Sequence, residues 1–125
     1  MAITQAELTS LQGRINARLA AHKAQFIMTT HFSIDRVNDI RNIPPVALNE
    51  LESISNKLIT QHLISILALN DGDTFNIKCG SSHINIPCAV EKNSNARATI
   101  THKSIAITIM RKRNFISKDP ITFSV

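Results

Sequence analysis

The sequence predicts an α+β fold in which N-terminal helices pack on one face of a four-stranded antiparallel β-meander. Apolar residues recur at helical spacing up to residue 70, and from residue 74 they alternate with polar residues, as in half-buried strands. A chain of 125 residues is long enough for one domain with its own core. We therefore expect a single domain spanning residues 1–125, with a helical part at 4–70, a sheet part at 74–115 and a C-terminal tail or strand at 116–125.

The first helix is predicted from a start signal and an apolar stripe. Thr4 and Glu7 form the pattern of a capping box, and Ile3 and Leu8 flank it as a hydrophobic staple. Apolar residues then recur at spacings of three and four, which indicates one buried side of a helix. The stripe comprises Leu8, Leu11, Ile15 and Leu19.

Two more helical segments are expected before the sheet. In residues 30–41 the expected buried side is Ile34, Val37 and Ile40, and the following prolines end the segment. A longer helix should begin at Pro45 and end at the turn in residues 70–73. Its core side is predicted to comprise Leu48, Leu51, Ile54, Leu58, His62, Ile66 and Leu69.

The first predicted hairpin follows that turn. Phe75, Ile77 and Cys79 alternate with polar residues, and Gly80-Ser81 fits a two-residue turn. That turn would place Ile77 opposite Ile84. Pro87 predicts an edge or a bulge in the second strand, because proline cannot donate to a ladder.

The second predicted hairpin spans residues 95–115. A turn centred on His102-Lys103 would direct one set of apolar side chains to a buried face, and this set comprises Ala96, Ala98, Ile100, Ile105, Ile107 and Ile109. The opposite face would be open to solvent. We expect it to be the functional surface, lined by Lys78, His83, Arg97, Thr99, Thr101, Thr108 and Lys112.

The positive charge is concentrated in the sheet part. The chain has a net charge of +5, but residues 1–73 hold six Lys/Arg against seven Asp/Glu, while residues 74–125 hold eight against two. A basic surface on one side of a small domain favours a polyanionic partner, usually nucleic acid. Simple solubility is the alternative explanation.

Several other classes of function are disfavoured. The two cysteines, Cys79 and Cys88, have no C-x-x-C spacing and fall on the predicted buried faces, so we expect no metal and no cofactor. The longest apolar stretch, residues 62–69, is too short to span a membrane. Residues 1–25 lack the apolar core of a signal peptide, so we expect a cytoplasmic protein, located in the host cytoplasm if it is phage-encoded.

Residues 30–41 are rich in side chains that can act on a phosphodiester. The segment HFSIDRVNDIR contains His31, the pair Asp35-Arg36 and then Arg41. On a helix His31 and Asp35 are i, i+4 neighbours, so the carboxylate could orient the imidazole and hold its proton on the far nitrogen. The order of elements resembles that of the small endoribonucleases of the RelE/ParE-like superfamily. Helices come first, then this segment, and then an antiparallel sheet whose last strand ends in MRKRNF. More narrowly, the chain is similar to the phage RegB-like branch over residues 29–115.

The resemblance implies metal-independent cleavage of RNA, in which the 2′-hydroxyl attacks the adjacent phosphate. Such chemistry needs a base, an acid and cations near the phosphorane. His31 and His83 would be acid and base, and Arg36 and Arg97 would be catalytic cations. Substrate contacts would come from Lys78, Arg41, Lys103, Arg111, Lys112 and Arg113. RNA would be the main partner, and an antitoxin, the ribosome or a host enzyme would be a protein partner.

Two other functions stay open at this point. The first is a non-catalytic phage or mobile-element protein that binds and inhibits a host enzyme or defence complex. The second is a sequence-specific nucleic-acid regulator. The chain has five Phe but no Tyr or Trp, which disfavours base stacking on an RRM-like sheet.

Overall fold

The computed structural model describes residues 2–93 and 100–125 and has an α+β architecture. Two long helices pack on one face of a six-stranded sheet. In chain order the elements are α1 (Gln5–Leu19), a 3-10 turn (Ala20–His22), β1 (Ala24–Met28), a π-helical turn (His31–Arg36), α2 (Leu48–Leu67), β2 (Thr74–Cys79), β3 (Ile84–Lys92), β4 (His102–Ala106), β5 (Met110–Arg111) and β6 (Thr122–Ser124).

The sheet is mixed rather than a simple antiparallel meander. The strand order is β1-β4-β3-β2-β6, and β5 pairs with β3 beyond the end of β4. β3 is antiparallel to β2, β4 and β5, whereas β1 pairs parallel with β4 and β6 pairs parallel with β2. Of the two alternatives for residues 116–125, a tail or a strand, the structure has a strand, β6. The prediction of four antiparallel strands was wrong, because both outer strands come from segments outside the predicted sheet part.

The start of α1 agrees with the sequence. The Glu7 N–H donates to the Thr4 hydroxyl at 3.1 Å, and the Thr4 N–H donates to the Glu7 carboxylate at 3.0 Å. This confirms the capping box. All four residues of the predicted apolar stripe are buried, as is Ile3.

Strand β1 was not predicted, and polar side chains of α1 cover its outer edge. Asn16 accepts a hydrogen bond from the Phe26 N–H at 2.7 Å and donates to the Phe26 carbonyl at 3.1 Å. Gln12 accepts from the Met28 N–H at 2.9 Å. These contacts satisfy edge groups that would otherwise be free to pair with another chain.

The turn between β2 and β3 is longer than predicted. Gly80–His83 form a four-residue connection, and the His83 N–H donates to the Cys79 carbonyl at 3.0 Å. Ile77 consequently pairs with Ile86, two residues beyond the predicted Ile84. A shift of two preserves the face of every side chain, so the predicted apolar residues are still buried. At Pro87 one edge of β3 changes partner: β3 pairs with β5 before Pro87 and with β4 after it. The predicted irregularity in this strand is therefore seen at Pro87.

The second predicted hairpin was wrong in its turn and its inward face. His102 and Lys103 lie within β4, where His102, Ser104 and Ala106 are buried. Ile105 is only half-buried, and Ile107 is 41% exposed. Residues 107–109 are irregular, and this break in the alternation is why Ile109 is buried as predicted. The first strand of the predicted hairpin lies mostly in residues 94–99, outside the described residues.

The short helical segment predicted in residues 30–41 is present as a π-helix over His31–Arg36, but its buried side differs from the predicted one. The Val37 N–H donates to the Phe32 carbonyl at 2.9 Å, an i to i+5 bond. Because this spacing brings Phe32 and Val37 to the same side, these two residues are buried. Ile34 and Ile40, which were expected beside Val37, are 60% and 90% exposed.

Helix α2 packs on the same face of the sheet as α1. Leu51, Ile54, Leu58 and Ile66 are buried, in agreement with the predicted core side. His62 contacts the C-terminal strand, with Nε2 2.8 Å from the Ser124 carbonyl. No helix among residues 2–93 and 100–125 combines the length and apolar character needed to cross a bilayer.

His102 predicts a pH dependence of stability. Its side chain is buried beneath the helices, and burial, reinforced by Lys92, lowers its pKa. Since the unfolded chain binds this proton at a higher pH than the folded chain, we expect the free energy of unfolding to fall as the pH drops below about 6.5. Urea denaturation at pH 7.5 and 5.5, above the range where carboxylates titrate, measures the effect. The His102→Gln variant should lose this slope, and an unchanged slope would contradict the assignment.

Candidate functional site

Except for Asp35, the charged and imidazole side chains of residues 30–41 line a cleft of about 500 Å³ beside β5. We call it the His31 cleft. Its charged lining combines three arginines, one lysine, one histidine and a single carboxylate. The lining comprises His31, Arg36, Asp39, Arg41, Asn42, Thr108, Ile109, Met110, Arg111 and Lys112.

His31 is held between a carboxylate and a guanidinium. Its Nδ1 lies 3.4 Å from an oxygen of Asp35, and its Nε2 accepts a hydrogen bond from Arg36 Nε at 3.0 Å. Nε2 must be unprotonated to accept this bond, so the proton of the neutral ring resides on Nδ1, towards Asp35. His31 therefore has the tautomer of a base whose lone pair lies on the Arg36 side.

Asp39 joins the two arginines of the cleft. Its carboxylate accepts from Arg41 at 2.7 and 3.0 Å and from Arg36 at 3.4 Å. The Arg41 side chain, followed by the Arg41 backbone N–H, holds the pKa of Asp39 well below its usual range. Asp39 is therefore ionised throughout the neutral range, and its carboxylate holds the Arg36 and Arg41 side chains close to each other.

Two polar residues fix this segment against the sheet. Asn42 is 5% exposed, accepts from the Arg111 N–H at 2.9 Å and donates to the Arg36 carbonyl at 2.9 Å. The Thr29 hydroxyl donates to the Ile107 carbonyl at 2.9 Å and accepts from the Phe32 N–H at 3.1 Å. The position of His31 and Arg36 relative to the sheet is thus set by hydrogen bonds between the Asn42 and Thr29 side chains and the backbone.

Arg111 is fully occupied by contacts within the protein. Its side chain is 7% exposed and forms a bidentate pair with Glu50, at 2.6 and 3.1 Å. It also donates to the carbonyls of Pro44, Pro45 and Ser82. These bonds use all five N–H donors of the guanidinium. The geometry therefore gives Arg111 a structural role in place of the substrate contact that the sequence suggested.

A second cavity, of about 750 Å³, lies on the other side of Arg111. We call it the His83 cavity. His83 lines it and has a positive φ of 60°. Two backbone hydrogen bonds fix this residue: its N–H donates to the Cys79 carbonyl, and its carbonyl accepts from the Lys112 N–H at 2.9 Å. Arg113 and Lys57 also line it. His31 and His83, predicted as an acid–base pair, consequently line different cavities.

No family model, curated protein or solved structure matches this chain. The resemblance to small endoribonucleases thus stays a prediction that rests on the sequence. Among residues 2–93 and 100–125, no group of three or more His, Cys, Asp or Glu side chains is placed to hold a metal ion.

The other predicted contacts lie away from both cavities or outside the described residues. Lys78 is exposed on β2. Lys103 lies on β4 opposite Glu91 and lines a separate cavity of about 240 Å³. Arg97 falls in residues 94–99, which the structure does not describe. The described residues of the predicted functional face do not share one cavity. Thr108 and Lys112 line the His31 cleft, His83 lines the His83 cavity and Thr101 lines the cavity beside Lys103.

Sequence reasoning missed the residues that organise the His31 cleft. Asp39, Asn42 and Glu50 each contact an arginine of the site. For Asp39 a local signal existed, because a carboxylate two residues before Arg41 and three after Arg36 can reach both. The contacts of Asn42 and Glu50 with Arg111 span more than 60 residues of sequence, and no local pattern indicates them.

The two cysteines should differ in reactivity. Cys79 lines the His83 cavity; burial raises the pKa of its thiol, but hydrogen bonds from Ser81 and Ser82 outweigh that effect and leave the pKa lowered. Cys88 is fully buried, and burial raises its pKa strongly. We expect iodoacetamide to label Cys79 in the native protein well before Cys88, as measured by peptide mass spectrometry. Equal labelling rates would contradict this order.

Proposed function

We propose that this protein is an RNA-binding, metal-independent endoribonuclease whose reacting phosphate binds in the His31 cleft. The observation that carries the proposal is the hydrogen bond from Arg36 Nε to His31 Nε2, at 3.0 Å, in a cleft that Arg41 and Lys112 also line. This arrangement combines an unprotonated imidazole nitrogen with cations suited to a phosphodiester.

In the proposed reaction His31 acts as the general base. An entering phosphate attracts the Arg36 guanidinium, which frees the lone pair of His31 Nε2. That nitrogen takes the proton of the 2′-hydroxyl as the 2′-oxygen attacks phosphorus. Asp35, near Nδ1, stabilises the imidazolium that results.

The remaining steps use the cations of the same cleft. Arg36 and Arg41 hold the phosphoryl oxygens and stabilise the charge of the phosphorane. Lys112 donates a proton to the leaving 5′-oxygen, a role that we assign to it rather than to His83 because it lines the same cleft as His31. The products are a 2′,3′-cyclic phosphate and a 5′-hydroxyl end.

Incubation of the purified protein with a mixed RNA pool, with and without EDTA, tests the proposal. We expect fragments that carry 2′,3′-cyclic phosphate ends, formed at the same rate in chelator. Intact RNA at high protein concentration would refute the nuclease function. Fragments with other ends, or cleavage that stops in chelator, would refute the proposed mechanism.

Removal of the Asp39 carboxylate should strengthen binding of RNA. The carboxylate competes with phosphate for Arg36 and Arg41, so Asp39→Asn leaves both cations available to the ligand. We expect the affinity for a 2′-O-methylated RNA to rise on the order of fivefold at low salt. Fluorescence anisotropy measures this change. Weaker binding would instead mean that Asp39 chiefly orients the arginines.

Exposed isoleucines favour a second candidate function, the non-catalytic inhibitor of a host enzyme or defence complex. Ile34 and Ile40 are 60% and 90% exposed on the segment that carries His31, and Ile43, just after it, is 79% exposed. Contiguous exposed apolar patches are typical of protein contacts, and under this function these isoleucines supply such a patch to the partner. Under this function His31→Ala leaves partner binding intact, whereas Ile40→Asp abolishes it. Co-precipitation of the host partner with each variant separates the two functions.

A further inference from the structure

We propose that the His83 cavity binds the nucleotide adjacent to the phosphate held in the His31 cleft. This inference rests on the proposed function and extends it from one phosphate to a length of RNA. The two cavities are neighbours, since Arg111 lines both of them. A single strand that enters one cavity can therefore continue along β5 into the other.

The charge of the His83 cavity suits a nucleotide phosphate. Lys57 and Arg113 line it from α2 and from the chain after β5, and both are exposed to an incoming ligand. The single carboxylate of the lining, Glu50, is already paired with Arg111 through two hydrogen bonds. The cations at the cavity surface are thus available to an outside anion.

The rest of the lining suits a sugar and a base. The exposed hydroxyls of Ser53 and Ser81 offer hydrogen bonds, while Ile43 and Pro44 provide an apolar wall. A volume of about 750 Å³ lies within the usual range of small-ligand sites. Among the described residues, no Phe, Tyr or Trp lines the cavity, and the His83 imidazole is the one ring on which a base could stack, so base stacking contributes little there. We therefore expect recognition to be tolerant of base identity and dominated by phosphate.

The backbone keeps the two cavities in a fixed relation. The Lys112 N–H binds the His83 carbonyl at 2.9 Å, and Arg111 donates to the neighbouring Ser82 carbonyl at 2.7 Å. The turn after β2 is therefore attached to β5, which carries the far wall of the His31 cleft. This connection sets the separation of the two subsites along the bound strand.

Binding of a 2′-O-methylated RNA hexanucleotide pool tests the inference without any cleavage step. In the double variant Lys57→Ala/Arg113→Ala we expect binding to weaken about tenfold and the salt slope to fall by about 0.7 for each phosphate that the protein no longer neutralises. The matched control is Arg18→Ala/Lys118→Ala, which also removes one arginine and one lysine, both exposed and outside both cavities, and should change affinity less than twofold. Circular dichroism confirms that each variant is folded.

A cysteine reporter locates the ligand directly. Ser53→Cys places a thiol on the cavity wall, and Thr60→Cys places one on the same exposed side of α2 outside the lining. Saturating hexanucleotide should slow alkylation of the first thiol at least fivefold and leave the second unchanged.

If the wild type cleaves RNA and binds the hexanucleotide, but the double variant binds equally and Ser53→Cys is not protected, the second subsite is refuted and the nuclease function stands. If the wild type neither cleaves RNA nor binds the hexanucleotide, both proposals fail.

Discussion

Replacement of His31 by alanine should lower the rate of RNA cleavage by about 100- to 10,000-fold. Among the described residues of the His31 cleft, the imidazole is the group whose nitrogen lone pair faces a guanidinium, that of Arg36, which we propose binds the reacting phosphate. Without it, no base takes the proton of the 2′-hydroxyl. Binding of 2′-O-methylated RNA should change little, because Arg36, Arg41 and Lys112 are still present. Single-turnover cleavage and anisotropy binding measure the two effects separately.

Two controls distinguish a catalytic loss from a structural one. His22→Ala removes an exposed histidine outside the cleft and should cleave RNA at the wild-type rate. Added imidazole should restore part of the activity of His31→Ala, which a merely structural role of His31 would not allow. Cleavage by His31→Ala at more than a tenth of the wild-type rate would refute the assignment of the base.

The helices were predictable because their signals are local. The capping box at Thr4 and the apolar stripe from Leu8 to Leu19 specify α1 within a few residues, and both are seen. The core side of α2 follows from the same spacing of three and four. In each helix the residues that signal the structure are neighbours in sequence, so the prediction needed no knowledge of distant partners.

The sheet was less predictable because pairing depends on distant residues. β1 pairs with β4, more than 70 residues later, and five residues at the end of a helix carry no strong strand pattern. In β4 small and polar residues, Ser104 and Ala106, occupy the buried face under the helices, while Ile105 does not. Alternation alone gives two equivalent registers, and it favoured the isoleucines over the register that packing selects.

The residues of the candidate site likewise comprise some that local sequence spacing predicts and others that depend on distant contacts. His31, Asp35, Arg36 and Arg41 lie in one short segment, so sequence spacing suffices to suggest that their side chains act together. The structure brings three of these four into one cleft lining, with Asp35 beside His31. The contributions of Lys112 and His83 depend instead on the β2–β3 turn and on the break between β4 and β5, which no local pattern specified.

Replacement of Arg111 by methionine should destabilise the fold by about 3–5 kcal/mol, because it leaves the partly buried Glu50 carboxylate without its partner. It also removes donors from three backbone carbonyls, in the segment before α2 and in the β2–β3 turn. We expect the thermal midpoint to fall by about 10 °C or more. Arg111→Lys should recover only part of this loss, because one ammonium cannot reproduce a five-donor fork.

A matched pair of variants shows whether the buried ion pair is the cause. Arg113→Met removes an exposed arginine two residues away and should change the free energy of unfolding by less than about 0.5 kcal/mol. Arg111→Met combined with Glu50→Leu no longer leaves a lone charge, so it should be more stable than Arg111→Met alone. Urea denaturation of the wild type and these three variants measures the differences. If Arg111→Met were as stable as Arg113→Met, the five hydrogen bonds would not hold the two cavities in place, and the fixed spacing inferred for a bound RNA strand would lose its physical basis.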